Sequence, residues 1–414
     1  MDFHLNNQQS KVCEEAINWF KYSDVQVFEI GGGAGTGKTY LTFAIINALG
    51  LSQSDLVVAA YTGAAALVLK NKGFINACTI HSTLYEISTE PDYNDIDEQF
   101  HIPKLKKKFI KKYSLPENIK LIIIDEGYMV PMNMYKDILS FGIKILVTGD
   151  PNQLPPIAGE PAFLTNPSKI HMLTELMRQA ESDPIVYLAN RALADAPIHC
   201  GMYGNNVMVI NDDELIPQMF GYADVVLTGF NQTRDAINNY VRTMLGFDKH
   251  GPLPVAGERL ICRENNWDIE TPEHIPLVNG LTGNILNSVD VINTTQNFSS
   301  KVFMMDFLPD RASYPFLNLL INYDYFIADH KRRNEIKSLD RNSKFLQGEY
   351  FEFAYALTTH LSQGSEYEKG ILIEETLRPQ ERRQLIYTGI TRFKKSLIYV
   401  RKRNKYIYIP ENPL

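Results

Sequence analysis

Gly32-Gly33-Ala34-Gly35-Thr36-Gly37-Lys38-Thr39 is the stretch whose reading decides the fold. It follows an apolar run at residues 25–30 and precedes a helix-like run at residues 40–49. The spacing fits G-x-x-x-x-G-K-[ST], in the strand-before and helix-after context that the motif requires. Glycines let backbone N–H groups turn inward, so Gly33, Ala34, Gly35, Thr36 and Gly37 can ring phosphate oxygens at a helix N-terminus. Lys38 would hold the β/γ oxygens and the Thr39 hydroxyl would ligate Mg²⁺. A glycine-rich turn that binds nothing has no need of the Lys-Thr pair. The stretch therefore reads as a nucleoside-triphosphate site.

With 414 residues, 44% hydrophobic and 21% charged, the chain has a globular composition and can bury more than one core. A formal net charge of -7 leaves no overall basic footprint, so any nucleic-acid contact must come from local patches. Cys13, Cys78, Cys200 and Cys262 are isolated, which suits free thiols in a reducing interior. The polar N-terminus and the lack of an apolar run approaching the ~18 to 20 residues of a membrane span predict a cytoplasmic protein without membrane contact.

Residues 121–126, Leu-Ile-Ile-Ile-Asp-Glu, form the second decisive stretch, a β-branched strand ending in two carboxylates. Asp125 is placed to hold Mg²⁺ through water and Glu126 to polarise the attacking water. The strand at 144–148 runs into Gly149-Asp150-Pro151-Asn152-Gln153-Leu154-Pro155-Pro156, a rigid loop whose Gln153 suits a γ-phosphate sensor. Further strands are expected at 56–61, 224–228, 351–357, 370–373 and 396–400, with helices at 12–20, 231–244 and 379–387. This is the rhythm of doubly wound α/β sheets, occurring twice.

Two segments interrupt it. Residues 85–118 carry an acidic stretch and then Lys104, Lys106, Lys107, Lys108, Lys111 and Lys112, and read as an insertion in the first α/β domain. The lysines suit a solvated face or, with other support, a nucleic-acid patch. Residues 257–345 turn rich in short β-like runs, with an Asn279-Gly280 turn, and read as a small β-barrel inserted in the second.

Taken in order, these motifs resemble a superfamily-one DNA helicase of the 5′-to-3′ branch, the group containing RecD-like enzymes and Dda. Gln9 resembles the adenine-reading Gln, residues 32–39 motif I, 60–66 motif Ia, and Cys78-Thr79-Ile80-His81-Ser82-Thr83-Leu84 the Thr-Ile-His-Ser motif that follows. Asp125-Glu126 resembles motif II, 149–156 motif III, Arg178 motif IV, 358–366 motif V and 387–392 motif VI. Two positions depart from the pattern: Tyr128 stands where a Ser is usual, and Leu361 where a Lys is common.

The resemblance implies an α/β protein of two RecA-like P-loop domains, parallel sheets flanked by helices. The first would comprise 1–84 and 119–175 with a pin-like insertion at 85–118, the second 176–256 and 346–414 with an SH3-like β-rich insertion at 257–345. ATP with Mg²⁺ would lie in the cleft between them. Lys38, Asp125, Glu126, Gln153, Arg178 and Arg392 would be catalytic, and Gln9, Tyr40 and Gly364 would join the loop in holding nucleotide. Glu366 would either bond the nucleotide or support its own loop. Thr62, Thr79, His81, Thr359 and His360 fall in DNA-contacting motifs, although a buried imidazole is the alternative for each histidine. Phe100, or another residue of the insertion, would be the strand-separating wedge.

The implied activity is a single-stranded-DNA-stimulated ATPase that moves 5′ to 3′ and separates duplex DNA in replication or repair. A translocase that strips proteins from DNA or acts on RNA with little unwinding is an alternative, as is a non-hydrolysing regulatory subunit that binds ATP and DNA. The implied partners are single-stranded and tailed duplex DNA, with a single-strand-binding protein or replisome component as a further candidate. The chain would act as a monomer.

Overall fold

The strand that feeds the phosphate loop, β1 (Val27–Gly32), lies inside a six-stranded sheet completed by β2 (Leu56–Ala60), β3 (Cys78–Thr79), β4 (Leu121–Asp125), β5 (Lys144–Gly149) and β6 (Ile170–Leu173). These positions come from a computed structural model, which describes residues 3–96, 103–156, 159–177, 182–273, 275–287, 289, 291–292, 301–338, 348–375 and 378–402. The strand order is β3-β2-β4-β5-β1-β6. Neighbours among β2, β4, β5, β1 and β6 run parallel.

Leu121, Ile122, Ile123 and Ile124 are consecutive and all buried, as expected of a strand covered on both faces. On one face, Val12, Ala16 and Trp19 of α1 (Asn7–Tyr22), Leu41 and Ile45 of α2 (Lys38–Leu49) and Leu69 of α3 (Gly63–Asn71) share a core with Phe28, Ile30, Val58, Ile123 and Leu146. Helix α1 begins earlier than its apolar period suggests. A capping box between Asn6 and Gln9 starts it, each side chain bonding the other's backbone N–H. Parallel packing brings the ends of β1, β4 and β5 to one edge of the sheet, the carboxyl edge where doubly wound folds bind ligands.

A second six-stranded sheet contains β7 (Gly201–Tyr203), β8 (Val207–Asn211), β9 (Val225–Thr228), β10 (Ala356–Thr358), β11 (Tyr367–Ile373) and β12 (Phe393–Arg401), in the order β10-β9-β11-β12-β8-β7. All its pairs are parallel except that of β7 with β8. Helices α4 (Pro184–Leu193), α5 (Asn231–Met244) and α6 (Pro379–Ile390) accompany it. Asp183 caps α4, and Pro184 opens it where no N–H donor is needed. The two doubly wound sheets are the pair expected from the sequence.

The chain divides into two units. Both parallel sheets belong to the first, which comprises Met1–Cys78, Pro116–Gly246 and Ala354–Leu414. The second comprises Thr79–Leu115 and Phe247–Phe353. Within the second, Val291–Ile292, Val302–Pro309, Thr282–Ile285, Arg259–Cys262 and Phe351–Phe353 lie side by side, and Phe316–Asn322 also pairs with Val302–Pro309. The pairings among these strands are antiparallel. Phe307 meets Phe351 edge to face, and Phe303 meets Phe326 likewise. Gly280 has φ 90°, the left-handed geometry its Asn-Gly turn requires.

The expected single strand at 351–357 is in fact two. Phe351–Phe353 pairs antiparallel with Arg259–Cys262, whereas Ala356–Thr358 pairs parallel with β9. The buried Asn238 amide fixes the break, because it bonds both the N–H and the carbonyl of Ala356. The helix His330–Ser338 was not expected, since it is polar nearly all round and has no apolar period to read. Residues 85–96 and 103–111 form an antiparallel hairpin whose register sets Glu90 opposite Lys106 and Asp92 opposite Lys104. The acidic stretch and the lysine cluster are thus cross-strand neighbours in register. Phe100 lies outside the described residues. Among those residues, no helix is long and apolar enough to cross a membrane.

Candidate active site

The phosphate loop is shaped by two left-handed glycines, Gly35 and Gly37, each with φ 79°. Gly37 directly precedes α2, so the loop delivers its N–H groups to a helix N-terminus. The Thr36 hydroxyl donates to the Gly33 carbonyl at 2.9 Å, and Lys38 Nζ donates to the carbonyls of Gly32 and Gly33 at 2.6 and 3.1 Å. Gln9 is 1% exposed, and its Nε2 donates to the Thr36 carbonyl at 3.0 Å and approaches Met177 Sδ at 3.3 Å. Its side chain is thus packed against the phosphate loop. The Met177 N–H in turn donates to the Gly35 carbonyl. Arg178, the next residue, lies outside the described residues.

Strand β4 delivers Asp125, whose Oδ1 accepts from the Thr148 hydroxyl at 2.6 Å. Glu126 follows with φ 52°, a left-handed conformation unusual for a side-chain-bearing residue. Burial pushes the Glu126 carboxyl up, with Asp125 and Asp150 adding to the rise and Arg392 and Lys38 opposing it. Arg392, 4% exposed, comes from the second sheet, just before β12. Its Nη1 lies 3.7 Å from Glu126 Oε1 and its Nη2 donates to Gln153 Oε1 at 3.0 Å.

Gly33, Gly35, Lys38, Asp125, Glu126, Gln153 and Arg392 line a cleft of about 550 Å³ that also includes Thr39, Tyr40, Lys72, Asp183, Glu366 and Lys394. That volume is within the range of small-molecule sites, and its cationic and hydroxyl groups suit phosphates. Among the described residues no group of three or more His, Cys, Asp or Glu could enclose a metal. Thr39 and Asp125 instead fit the sparse donor set of a Mg²⁺ that takes its other ligands from phosphate and water.

The remaining expected residues fall into distinct places. Tyr40 lines the cleft, with its hydroxyl accepting from the His4 N–H at 2.8 Å. Glu366 bridges Lys72 and Lys394 at 2.9 and 2.5 Å; burial raises its carboxyl, but the two lysines outweigh that and hold it at about 2. Gly364 packs on the start of α3. An added Cβ there would meet Ala65 Cβ at 2.7 Å and Thr62 Oγ1 at 2.9 Å. Thr62 itself caps α3, accepting from the Ala65 N–H at 3.2 Å.

Thr359 is fully buried, and its hydroxyl donates to the Thr228 carbonyl at 3.2 Å, bracing its loop against β9. Thr79 is also buried, and its side chain caps the short helix Ile80–Leu84. His81 and His360 are half-buried, and burial lowers the pKa of each. Any grip on phosphate would then use an imidazole N–H rather than a full positive charge.

Four further contacts have no single-residue signature. Tyr387 of α6 donates to Asp150 and accepts from the Ala34 N–H at 3.3 Å. Thr388 Oγ1 accepts from the Leu154 N–H at 2.9 Å, and Gln363 Nε2 donates to the Leu154 carbonyl at 2.7 Å. The loop after β5 is thus held from the second sheet at Asp150 and on both polar groups of Leu154.

The AAA domain family matches residues 4–207, and the UvrD-like helicase C-terminal domain family matches residues 353–400. The ATP-dependent RecD2 DNA helicase of Deinococcus radiodurans is 23% identical over 410 residues, covering 94% of this chain and 48% of that protein. The ATP-dependent DNA helicase dda of Enterobacteria phage T4 is 32% identical over 171 residues, covering 39% of this chain and 36% of that protein. The chain spans less than half the length of the curated relatives it matches. In fold it resembles Bacteroides Pif1 bound to ssDNA, with a TM-score of 0.51 at 17% identity over 99% of this chain and 95% of that one. The chain belongs to the superfamily 1 helicases of the RecD, Pif1 and Dda type.

Proposed function

We propose that this chain is an ATP-driven motor that moves 5′ to 3′ along single-stranded DNA and separates duplex ahead of it. The observation that carries this reading is the convergence on one cleft of the phosphate loop, Asp125 and Glu126 from the first sheet with Arg392 from the second, 3.7 Å from Glu126.

The loop N–H groups and Lys38 would bind the β/γ-phosphates, while Gln9, buried against the loop at Thr36, would orient the base. Mg²⁺ at Thr39 and Asp125 would neutralise charge on the transferring phosphoryl. Glu126, with its carboxyl raised by burial, is a stronger proton acceptor than an ordinary glutamate and would take the proton of the attacking water. Arg392 would stabilise charge developing on the phosphoryl oxygens. A non-hydrolysing subunit would have no use for both a water-activating carboxylate and a charge-stabilising arginine.

Because Gln153 bonds Arg392 and Leu154 is held by Thr388 and Gln363, a change at the phosphate would reach the loops of the second sheet. Alternating closure and opening of the cleft would then move one DNA-gripping surface past another. Both halves of the cleft come from one chain, which supports a monomeric motor. Unwinding of two partial duplexes tests the reading, one with a 5′ single-stranded tail and one with a 3′ tail. ATP-dependent separation of the first is expected; separation of the second alone, or of neither, would contradict it.

A further inference from the structure

Ala34, Tyr387 and Asp150 form a hydrogen-bonded row outside the catalytic set. The Ala34 N–H donates to the Tyr387 hydroxyl at 3.3 Å, and that hydroxyl donates to Asp150 Oδ2. Tyr387 is 1% exposed and Asp150 is 0% exposed. Burial and then the Asp150 carboxylate hold the phenol well above its usual range, so at neutral pH it stays protonated and remains a donor. An added Cβ on Gly33 would come within 3.1 Å of the tyrosine oxygen, so the bare glycine lets the hydroxyl reach the loop.

The row joins three elements with different duties. Ala34 belongs to the phosphate-cradling loop, whose N–H groups are the donors for which phosphate oxygens compete. Asp150 begins the loop that carries Gln153 and Leu154. Tyr387 stands on α6, directly before Thr388, which holds the Leu154 N–H, and shortly before Arg392. One hydroxyl therefore takes a donor from the phosphate loop while gripping the loop that contacts Arg392 through Gln153.

We infer that Tyr387 is a positioning residue that reports the state of the phosphate loop to the helix leading into Arg392. An anionic oxygen that claims the Ala34 N–H frees the Tyr387 hydroxyl from the loop while Asp150 keeps it, and α6 changes register against Leu154. Tyr387 thereby sets how strongly nucleotide and DNA influence each other. This inference rests on the proposed function, because it concerns the same cleft.

The test uses the full chain and Tyr387→Phe, which keeps the ring and removes the hydroxyl. Affinity for a single-stranded oligonucleotide is measured with and without a non-hydrolysable ATP analogue, alongside kcat and KM for ATP. In the wild type the analogue should change DNA affinity by roughly fivefold or more, the range of ordinary allosteric coupling. In Tyr387→Phe that factor should fall to within about twofold of unity, and DNA-stimulated kcat should drop roughly tenfold while KM for ATP stays within about threefold.

Removing the hydroxyl leaves Asp150 buried without that donor, so Tyr387→Phe/Asp150→Asn serves as the second variant. It removes the stranded charge and should recover melting temperature without recovering coupling. Wild-type coupling and stimulation in either variant would overturn the inference, and so would failure of both variants to fold, which would assign Tyr387 a packing role. A wild-type chain that shows no DNA-stimulated turnover would refute the proposed function instead.

Discussion

Glu126 holds φ 52°, a backbone conformation that costs a non-glycine residue on the order of 1–3 kcal/mol and persists where surrounding structure enforces it. Gly127 is part of that enforcement, because an added Cβ would meet Val147 Cγ1 at 2.2 Å. The turn aims the carboxylate toward Arg392, and burial raises its pKa. A base must be deprotonated to work, so kcat should fall as pH drops through this raised value, at a higher pH than an ordinary glutamate near 4.3 would give. Glu126→Gln should retain nucleotide binding, lose roughly 10²- to 10⁴-fold in turnover and lose that acid limb. Turnover with an unchanged pH profile would place the base elsewhere. The place of the Asp-Glu pair at the end of a strand was legible in sequence, because the apolar run of residues 121–124 leads straight into it. Thr148, which bonds Asp125 from the neighbouring strand, carried no such signal, since its role depends on parallel register alone.

The loop after β5 and the end of α6 meet at Leu154. Its backbone N–H is bonded by Thr388, itself fully buried, and its carbonyl by Gln363. Thr388→Val preserves shape but leaves the Leu154 N–H without that acceptor, so it should destabilise the chain by about 1–3 kcal/mol in denaturant unfolding. An unchanged unfolding midpoint would show that the contact carries no weight. Elements with a clean period were legible, above all Asn231–Met244, which the sequence placed at the same residues. The split at Ala354 and Tyr355 was not, because Phe351–Phe353 and Ala356–Thr358 are equally apolar and the Asn238 contact that separates them is distant in the chain. The close approach of Gly364 to Thr62 and Ala65 was equally hidden, since it joins segments distant in the chain.

At the scale of the molecule, both parallel sheets lie in one unit and the cleft draws residues from Gly33 to Lys394. The sequence showed two α/β halves and led us to expect Arg392 of the second to reach the nucleotide of the first, but not the partners it meets there, which arise from tertiary packing. Arg392 is the most consequential of those contacts, since it reaches Glu126 and Gln153 from the opposite sheet. The most direct test is ATP turnover with and without single-stranded DNA in the wild type and in Arg392→Ala, with nucleotide affinity measured in parallel. The account predicts DNA-stimulated turnover in the wild type and a loss on the order of 10³-fold in the variant, with nucleotide binding largely kept. Turnover in Arg392→Ala within a few-fold of wild type would contradict a hydrolytic site shared between the two sheets.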